Sequence, residues 1–461
     1  MNTMDFDLNG LLAARGGEGY ELYGKYLNPQ TPKVLHAIGF DKVYPHAEGA
    51  YLYDTDGNQY TDWLAGFGVF AAGRNHPVIR KALHDALDAG LAEWTQFDCP
   101  PLTGLLAERL LAKAPGLDRV FFCNSGTEAV ESALKFARYA TGKRRIVYAD
   151  HAFHGLTTGS LSINGSAEFR KGFDPLLPDI PIPLGDIDAL NTELRKGDVA
   201  ALIIEPIQGK GVHMPPDGFL AAAAKLLHEH GALLICDEVQ SGFGRTGKFF
   251  AYQHEDVTPD IVTVAKGLSG GYVPVGAMLA KGPVFEKVYS SMDRMMVHST
   301  TFKGGTLAMT AGLAALHVLD DEKLMDNAAR TGANLKAALE EMAARFDILA
   351  DVRGRGLMIG LEFDKPAGMR ARASWNMLQK ARVGLFAQMV VVALFQRHRI
   401  LTQVSGDHME VIKLIPPLMI SDDDVKAFTE ALGEVLEDAS KGSGLIWGFG
   451  RTLVKQAMAR T

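Results

Sequence analysis

The sequence predicts an α/β fold: an open, mostly parallel sheet with helices on both faces, joined to a smaller α+β lobe. Three observations carry that expectation. From His76 onward, helical segments such as Pro77–Gly90 and Leu102–Ala114 alternate with short apolar runs rich in β-branched residues. Those runs are "RVFFC" (119–123), "RIVYA" (145–149), "AALIIEP" (200–206), "ALLICDE" (232–238) and "DIVTVAK" (260–266). They are too apolar for a strand with one wet face, and each is followed by a helix or loop, the pattern of parallel strands covered on both sides. Beyond about residue 335 the pattern changes to an amphipathic helix (Leu335–Phe346), strands "FDILADVRG" and "LMIGLEF", two helices and the strand "EVIKLIP".

In chain order, residues 1–75 are expected to join the small lobe. They hold a β-hairpin, "GAYLYDTDGNQYTDWL" (49–64), whose aromatic-rich strands flank the turn Asp54-Thr55-Asp56-Gly57. Residues 76–335 form the large domain, 336–440 the C-terminal small domain, and 441–461 an amphipathic tail. The first residues include early acids and no continuous apolar stretch, so no secretory signal is expected. The longest apolar run, Val383–Phe395, has 13 residues, short of the roughly 20 that span a bilayer, and reads as a buried helix.

Composition narrows the function. A formal charge of −7 gives no general attraction to nucleic acid. The three cysteines, Cys99, Cys123 and Cys236, have neither disulfide-framework nor zinc spacing; a reducing cytoplasm is the expected home and no metal site is expected. Ligands of open parallel sheets bind beyond the carboxyl ends of the strands. That singles out the polar residues ending the apolar runs: Asn124-Ser125-Gly126-Thr127-Glu128, Glu205, Asp237 and Lys266.

The stretch "ICDEVQSGFGRTGKF" (235–249) offers two misleading motifs. Gly242-x-x-x-x-Gly247-Lys248 lacks the Ser or Thr that a phosphate loop needs for magnesium, since Phe249 follows. The triplet Gly242, Gly244, Gly247 neither follows its strand directly nor opens a helix. A tight surface turn is the expectation for 242–247, and a nucleotide-binding protein the remote alternative.

Asp237 and Lys266 are different. A carboxylate and an ammonium at the ends of neighbouring apolar strands are both costly unless engaged. "NSGT" (124–127) opens the helix Glu128–Tyr139 and makes an anion cradle of free N–H groups, a glycine and hydroxyls. A phosphate cradle, an acid able to pair with a ring cation and a lysine able to form a Schiff base are the fixtures required by pyridoxal 5′-phosphate (PLP).

With "NSGTEAVESALKFAR", "HAFHG", "IIEPIQG", "LLICDEVQSGFGRTG", "PDIVTVAKGLSGG" and "HSTTF" in this order, the chain resembles the class III aminotransferases. These are the ornithine and 4-aminobutyrate aminotransferase-like branch of fold type I PLP enzymes. The likeness runs from about Gly49 to about residue 436. It implies a large domain with a mostly parallel seven-stranded sheet, Lys266 as the Schiff-base lysine and proton carrier, and Asp237 on the pyridine nitrogen. It further implies Gln240 on the ring hydroxyl, Ser125, Gly126 and Thr127 at the phosphate, Phe153 stacked on the ring, and His154 and Glu205 nearby. Thr301 would reach the cofactor of a second subunit, making the active unit a homodimer. The reaction implied is ping-pong transfer of an amino group from an amine donor to a carbonyl acceptor. Aminomutases, racemases and a decarboxylase of the family share the same cofactor residues.

The substrate end departs from that pattern. Amino-acid-handling relatives place an arginine where "EVIKLIPPL" has Lys413, and often a glutamate where Lys210 stands; Arg to Lys is not a mild change at a site that grips a carboxylate at two oxygens. Gly68 replaces a bulky aromatic, beside Phe67, Val69 and Phe70, and Leu156 replaces a basic residue of some members. With Phe67, Gly68, Phe70, Lys210 and Lys413 as substrate contacts, the expectation is a primary amine or ω-amino compound, long or bulky and largely apolar, unless neighbouring side chains refill the space. The tail "GSGLIWGFGRTLVKQAMART" mixes large apolar residues with Arg and Lys. Docking on the protein is the commoner fate of such a segment, and peripheral contact with a membrane the alternative.

Overall fold

The computed structural model describes residues 6–92, 98–381 and 383–441; the tail from 442 onward lies outside the described residues. At its centre is a seven-stranded sheet. The strands run in the order Arg119–Cys123, Gly276–Ala280, Ile261–Val264, Leu233–Asp237, Val199–Ile204, Arg145–Ala149 and Ile180–Ile182. The last five are mutually parallel. Gly276–Ala280 runs antiparallel to both of its neighbours. The alternation of side chains along each strand divides the core in two. Ile146, Tyr148, Ile203 and Ile235 pack with the buried face of the helix Gly126–Thr141, whereas Val147, Leu202, Leu234 and Val262 belong to the cluster on the opposite side. This is why those runs show no polar alternation in sequence.

Two strands escaped the sequence pattern. "GAMLA" (276–280) is built of small and unbranched residues and carries little strand propensity. "IPI" (180–182) contains a proline, which the sheet tolerates because this strand is at its edge.

Two smaller sheets adjoin this centre. The hairpin Tyr51–Tyr53 and Gln59–Asp62 pairs with His46–Glu48 on one side and, in parallel, with Ile400–Leu401 on the other. A four-stranded antiparallel sheet has Leu349–Arg355, Met358–Phe363, Val411–Leu414 and Gln403–Ser405 in that order. The helix expected at 335–346 begins a further three turns upstream, as Leu324–Arg345. Its early turns include Gly332, a residue that argues against helix in sequence; a Cβ there would lie 2.2 Å from the Gly356 carbonyl oxygen, so the glycine allows the helix to touch the turn between two strands. The apolar run forms the helix Leu385–His398, whose residues from Leu385 to Phe395, apart from Gln388, are buried. Among the described residues no single helix is long and apolar enough to cross a membrane.

The expectation of a surface turn at 242–247 is corrected. Residues 241–246 are buried. Arg245 donates to the carbonyl of Leu357 at 3.3 Å and to that of Pro416, tying the loop to the antiparallel sheet. Gly244 has φ +83°, and a Cβ there would meet Met325 at 2.6 Å. Close packing, not exposure, sets those glycines.

Candidate active site

At the carboxyl ends of the large sheet's strands lies a cavity of about 970 Å³. Several of the strands deliver a polar group to it. Leu233–Asp237 ends on Asp237, which is 3% exposed. Its Oδ1 accepts from Thr263 Oγ1 at 3.0 Å and from the Val239 amide at 3.1 Å, and its Oδ2 meets His154 Nδ1 at 2.7 Å. A carboxylate offers about four lone-pair positions, so one stays available to a ring N–H.

His154 is buried and its Nε2 has no partner among the described residues. Burial alone would lower its pKa; the hydrogen bond and charge of Asp237, helped by Glu205, outweigh that and raise it. The result is a buried acid hydrogen-bonded to a histidine that it makes more basic.

Lys266 follows the strand Ile261–Val264 with φ +43°, a left-handed conformation that a lysine adopts only when its surroundings impose it. Its ammonium makes no hydrogen bond or ion pair with a described residue. Burial lowers its pKa, with the charges of Asp237 and Glu205 pulling the other way. A lowered pKa eases the loss of the proton that a nucleophilic amine must shed.

Glu205 has a defined place. Its Oε2 accepts from the Phe153 amide at 3.0 Å and its Oε1 from the Gly209 amide at 2.8 Å, so it ties the "HAFHG" loop to the "EPIQG" loop. Burial raises its pKa above the usual carboxylate range despite those bonds. Phe153, half-buried, is braced edge-on by Phe169 at 5.3 Å between centroids.

The helix Gly126–Thr141 points its N-terminus at the same cavity. Ser125 caps it, accepting from the Glu128 amide at 3.3 Å. The amides of Gly126 and Thr127 donate to no described group. Thr127 Oγ1 meets Thr157 Oγ1 and Ser160 Oγ at 2.7 Å each, a hydroxyl cluster that no sequence motif announced. Thr263, the hydroxyl donor to Asp237, was equally hidden inside an apolar run.

Gln240 and Lys413 share one corner. Lys413, 4% exposed, donates to the Gly209 carbonyl at 2.6 Å and to Gln240 Oε1 at 2.9 Å. Burial brings its pKa down to about 7, with Lys266 and Arg245 adding to the fall and Glu205 opposing it. Lys210 does not join it. Its ammonium turns to Ser166 at 3.0 Å, Asp407 at 3.2 Å and Glu168 at 3.8 Å.

Phe67 is exposed to the cavity, but Gly68 and Phe70 are not among the residues that line it. Gly68 is buried with φ +87°, and a Cβ on it would meet Ile415 Cδ1 at 3.0 Å and Gln240 Cγ at 3.9 Å. Neighbouring side chains therefore fill the space that this glycine was expected to leave open. Phe70 is stacked beneath the Arg74 guanidinium at 4.1 Å and packs behind the lining residues Gly66 and Gly271. Thr301 is exposed and also outside the lining.

A family model for class-III aminotransferases matches residues 37–436. The chain belongs to that family. Its members are PLP-dependent, and the residues here fit that group: two unengaged helix-start amides, an acid with one acceptor position left, an unpaired lysine and an aromatic wall. An aminotransferase, PigE, from Serratia sp. is 37% identical over 91% of this chain, which spans 53% of that longer protein, about half its length. The acetylornithine aminotransferase of Methanopyrus kandleri is 41% identical over 86% of this chain and 94% of its own length. Among solved structures, an ornithine aminotransferase from Toxoplasma gondii, with PLP at partial occupancy in its active site, matches with a TM-score of 0.79 at 30% identity. The match covers 95% of this chain and 99% of that one. This class III aminotransferase fold is thus the fold type I architecture that the motifs implied.

Proposed function

We propose that the protein transfers an amino group from a primary amine or ω-amino compound to a keto acid or aldehyde, with Lys266 as the residue that binds PLP covalently and carries the proton. The observation that carries this reading is the Lys266 ammonium: unpaired, shielded and lowered in pKa, in one cavity with Asp237. When bound, PLP supplies an electron sink for the substrate's Cα–H bond. Asp237, oriented by His154 and Thr263, would face the ring nitrogen and hold a proton there. The Gly126 and Thr127 amides take the phosphate. Gln240 addresses the ring hydroxyl and Phe153 the ring face. Lys266 Nζ would hold the cofactor covalently and, when free, would serve as the base that takes and returns the substrate proton.

The cavity wall supports an apolar substrate: Phe67, Val69, Leu156, Phe169 and Val404 line it, with Lys210 turned aside toward two carboxylates. The exposed Thr301 is assigned to a partner subunit's cofactor, in a homodimer. The lobes divide near residues 75, 335 and 440. The free cysteines, two of them buried, suit a cytoplasmic setting. Contact of the tail with lipid is retained as part of this reading; truncation after Gly442 that leaves vesicle partitioning unchanged would remove it.

Borohydride reduction of the yellow protein followed by peptide mapping is expected to fix the label on Lys266, and a donor panel against pyruvate and 2-oxoglutarate to favour alkylamines over amino acids. A label on another residue, or none, overturns the assignment.

A further inference from the structure

Lys413 occupies the place where amino-acid-handling relatives carry an arginine, yet its geometry answers a different need. It projects from the strand Val411–Leu414, between the partners Gly360 and Gln403, and is almost fully buried. It forms no ion pair with a described residue. Two of its three N–H donors are committed, to the Gly209 carbonyl and to Gln240 Oε1. What remains is one donor on a point charge, without the fork that grips a carboxylate at both oxygens.

Those two bonds have a consequence for Gln240. Its amide oxygen faces an ammonium and its amide nitrogen donates to the Phe67 carbonyl at 3.0 Å. Turning the amide over would set NH₂ against NH₃⁺ and carbonyl against carbonyl, replacing two attractions by two repulsions. In the observed orientation one N–H of Gln240 goes to Phe67 and no described group accepts the other. Gly209 locks the corner: its N–H goes to Glu205 and its carbonyl to Lys413. A Cβ on Gly209 would lie 2.7 Å from Gln240 Oε1 and 3.1 Å from Glu205 Oε1, so no side chain fits there.

We propose that Lys413 is a positioning residue: it fixes the Gln240 amide so that its free N–H meets the ring hydroxyl of PLP, and it is not the anchor for a substrate carboxylate. The inference rests on the reading of the cavity as the PLP site. It deepens that reading, because a donor without a carboxylate beside its amine forfeits nothing at this corner.

The test uses the full-length PLP-loaded enzyme and the variants Lys413→Met, Gln240→Leu and the pair combined. Two quantities are read: kcat/KM with hexylamine and with alanine, and the pH midpoint of the bound cofactor's visible band. A donor to the ring oxygen favours its anionic form. Its loss in Lys413→Met raises the midpoint by about one pH unit and lowers kcat/KM about tenfold for both donors alike, the weight of one charge-assisted hydrogen bond. Gln240→Leu reproduces both changes, and the combined variant adds nothing to them, which keeps the proposal testable if Lys413→Met does not fold. A loss confined to alanine, or additive effects in the combined variant, overturns it. A wild-type protein without any cofactor band overturns the PLP reading beneath it instead.

Discussion

Two corners of one cavity solve opposite electrostatic problems. Around Asp237 a buried acid has its charge matched by His154 and its oxygens filled by Thr263 and Val239. Around Lys413 a buried base forms no ion pair with a described residue and is satisfied by two neutral carbonyls, with its pKa brought to about 7. The first arrangement keeps a charge where a cationic ring needs it. The second holds a base without an ion pair and uses the group for its donors. Truncating one partner of a buried charge pair is costly because the other is stranded, so the two corners are expected to respond very differently to neutralisation.

The largest effect should follow at the acid. Asp237→Asn keeps the volume and the strand-end position but removes the charge that sustains His154 and holds the ring proton. We expect kcat with an alkylamine donor to fall by about 10²–10³-fold, as for loss of a preorganised electrostatic group, with the far-UV circular dichroism unchanged. At the other corner, Lys413→Met costs only about tenfold. If Asp237→Asn is the milder of the two, the contrast is wrong.

The acid corner is also the one that was legible in sequence. Asp237, Glu205 and Lys266 end apolar runs, where burial is dictated by the flanking residues and a charge must have a purpose. The phosphate cradle is local as well, since strand, glycine and helix start are contiguous at 119–128. The substrate corner is assembled from distant segments: Lys413 meets Gln240 across 173 positions, and Lys210 meets Asp407 across 197. No spacing rule reaches that far. Gly68 shows the same limit. An empty position in sequence says nothing about what leans into it, and Ile415 does. Likewise 242–247 looked like a solvated turn because glycines mark both loops and close packing, and only tertiary contact distinguishes them.

An intermediate effect sharpens the distinction between a charge that is used and one that is merely tolerated. Glu238, next to Asp237, is fully buried, accepts from Ser241 Oγ at 2.7 Å and from the Tyr252 amide at 2.8 Å, and has no cation beside it. Burial raises its pKa to about 7. An acid whose folded pKa is raised contributes stability that is fully present below its unfolded value, near 4.5, and is lost as pH rises through the folded one. That amounts to on the order of 3 kcal/mol between about pH 4.5 and pH 8. Glu238→Gln keeps the shape, an acceptor for the Tyr252 amide and a donor that the Ser241 hydroxyl can accept, and it cannot ionise, so its unfolding free energy in urea should gain on the wild type as pH rises across that window. Parallel curves at both ends would show that Glu238 is ionised at no cost.

The smallest effect belongs to Lys210, the second departure at the substrate end. Its ammonium lies near Ser166, Asp407 and Glu168, and over the Phe169 ring at 4.9 Å. Asp407 is shared with His151, and its pKa is lowered from its ordinary value: burial would raise it, but the His151 hydrogen bond and the nearby Lys210 ammonium prevail. Because Asp407 keeps its hydrogen bond to His151 and is partly exposed, Lys210→Met strands no fully buried charge. We expect a stability loss of about 0.5–1 kcal/mol, the range of a partly exposed ion pair, and a change in KM without a change in kcat, since nothing that touches the reacting atoms has moved. Lys210→Glu goes further, setting a third carboxylate beside Asp407 and Glu168; it should weaken the 405–410 turn more than the methionine does and lose the excess at high salt, where screening removes it. Equal losses for the two variants at low salt would mean that Lys210 contributes through its stem alone.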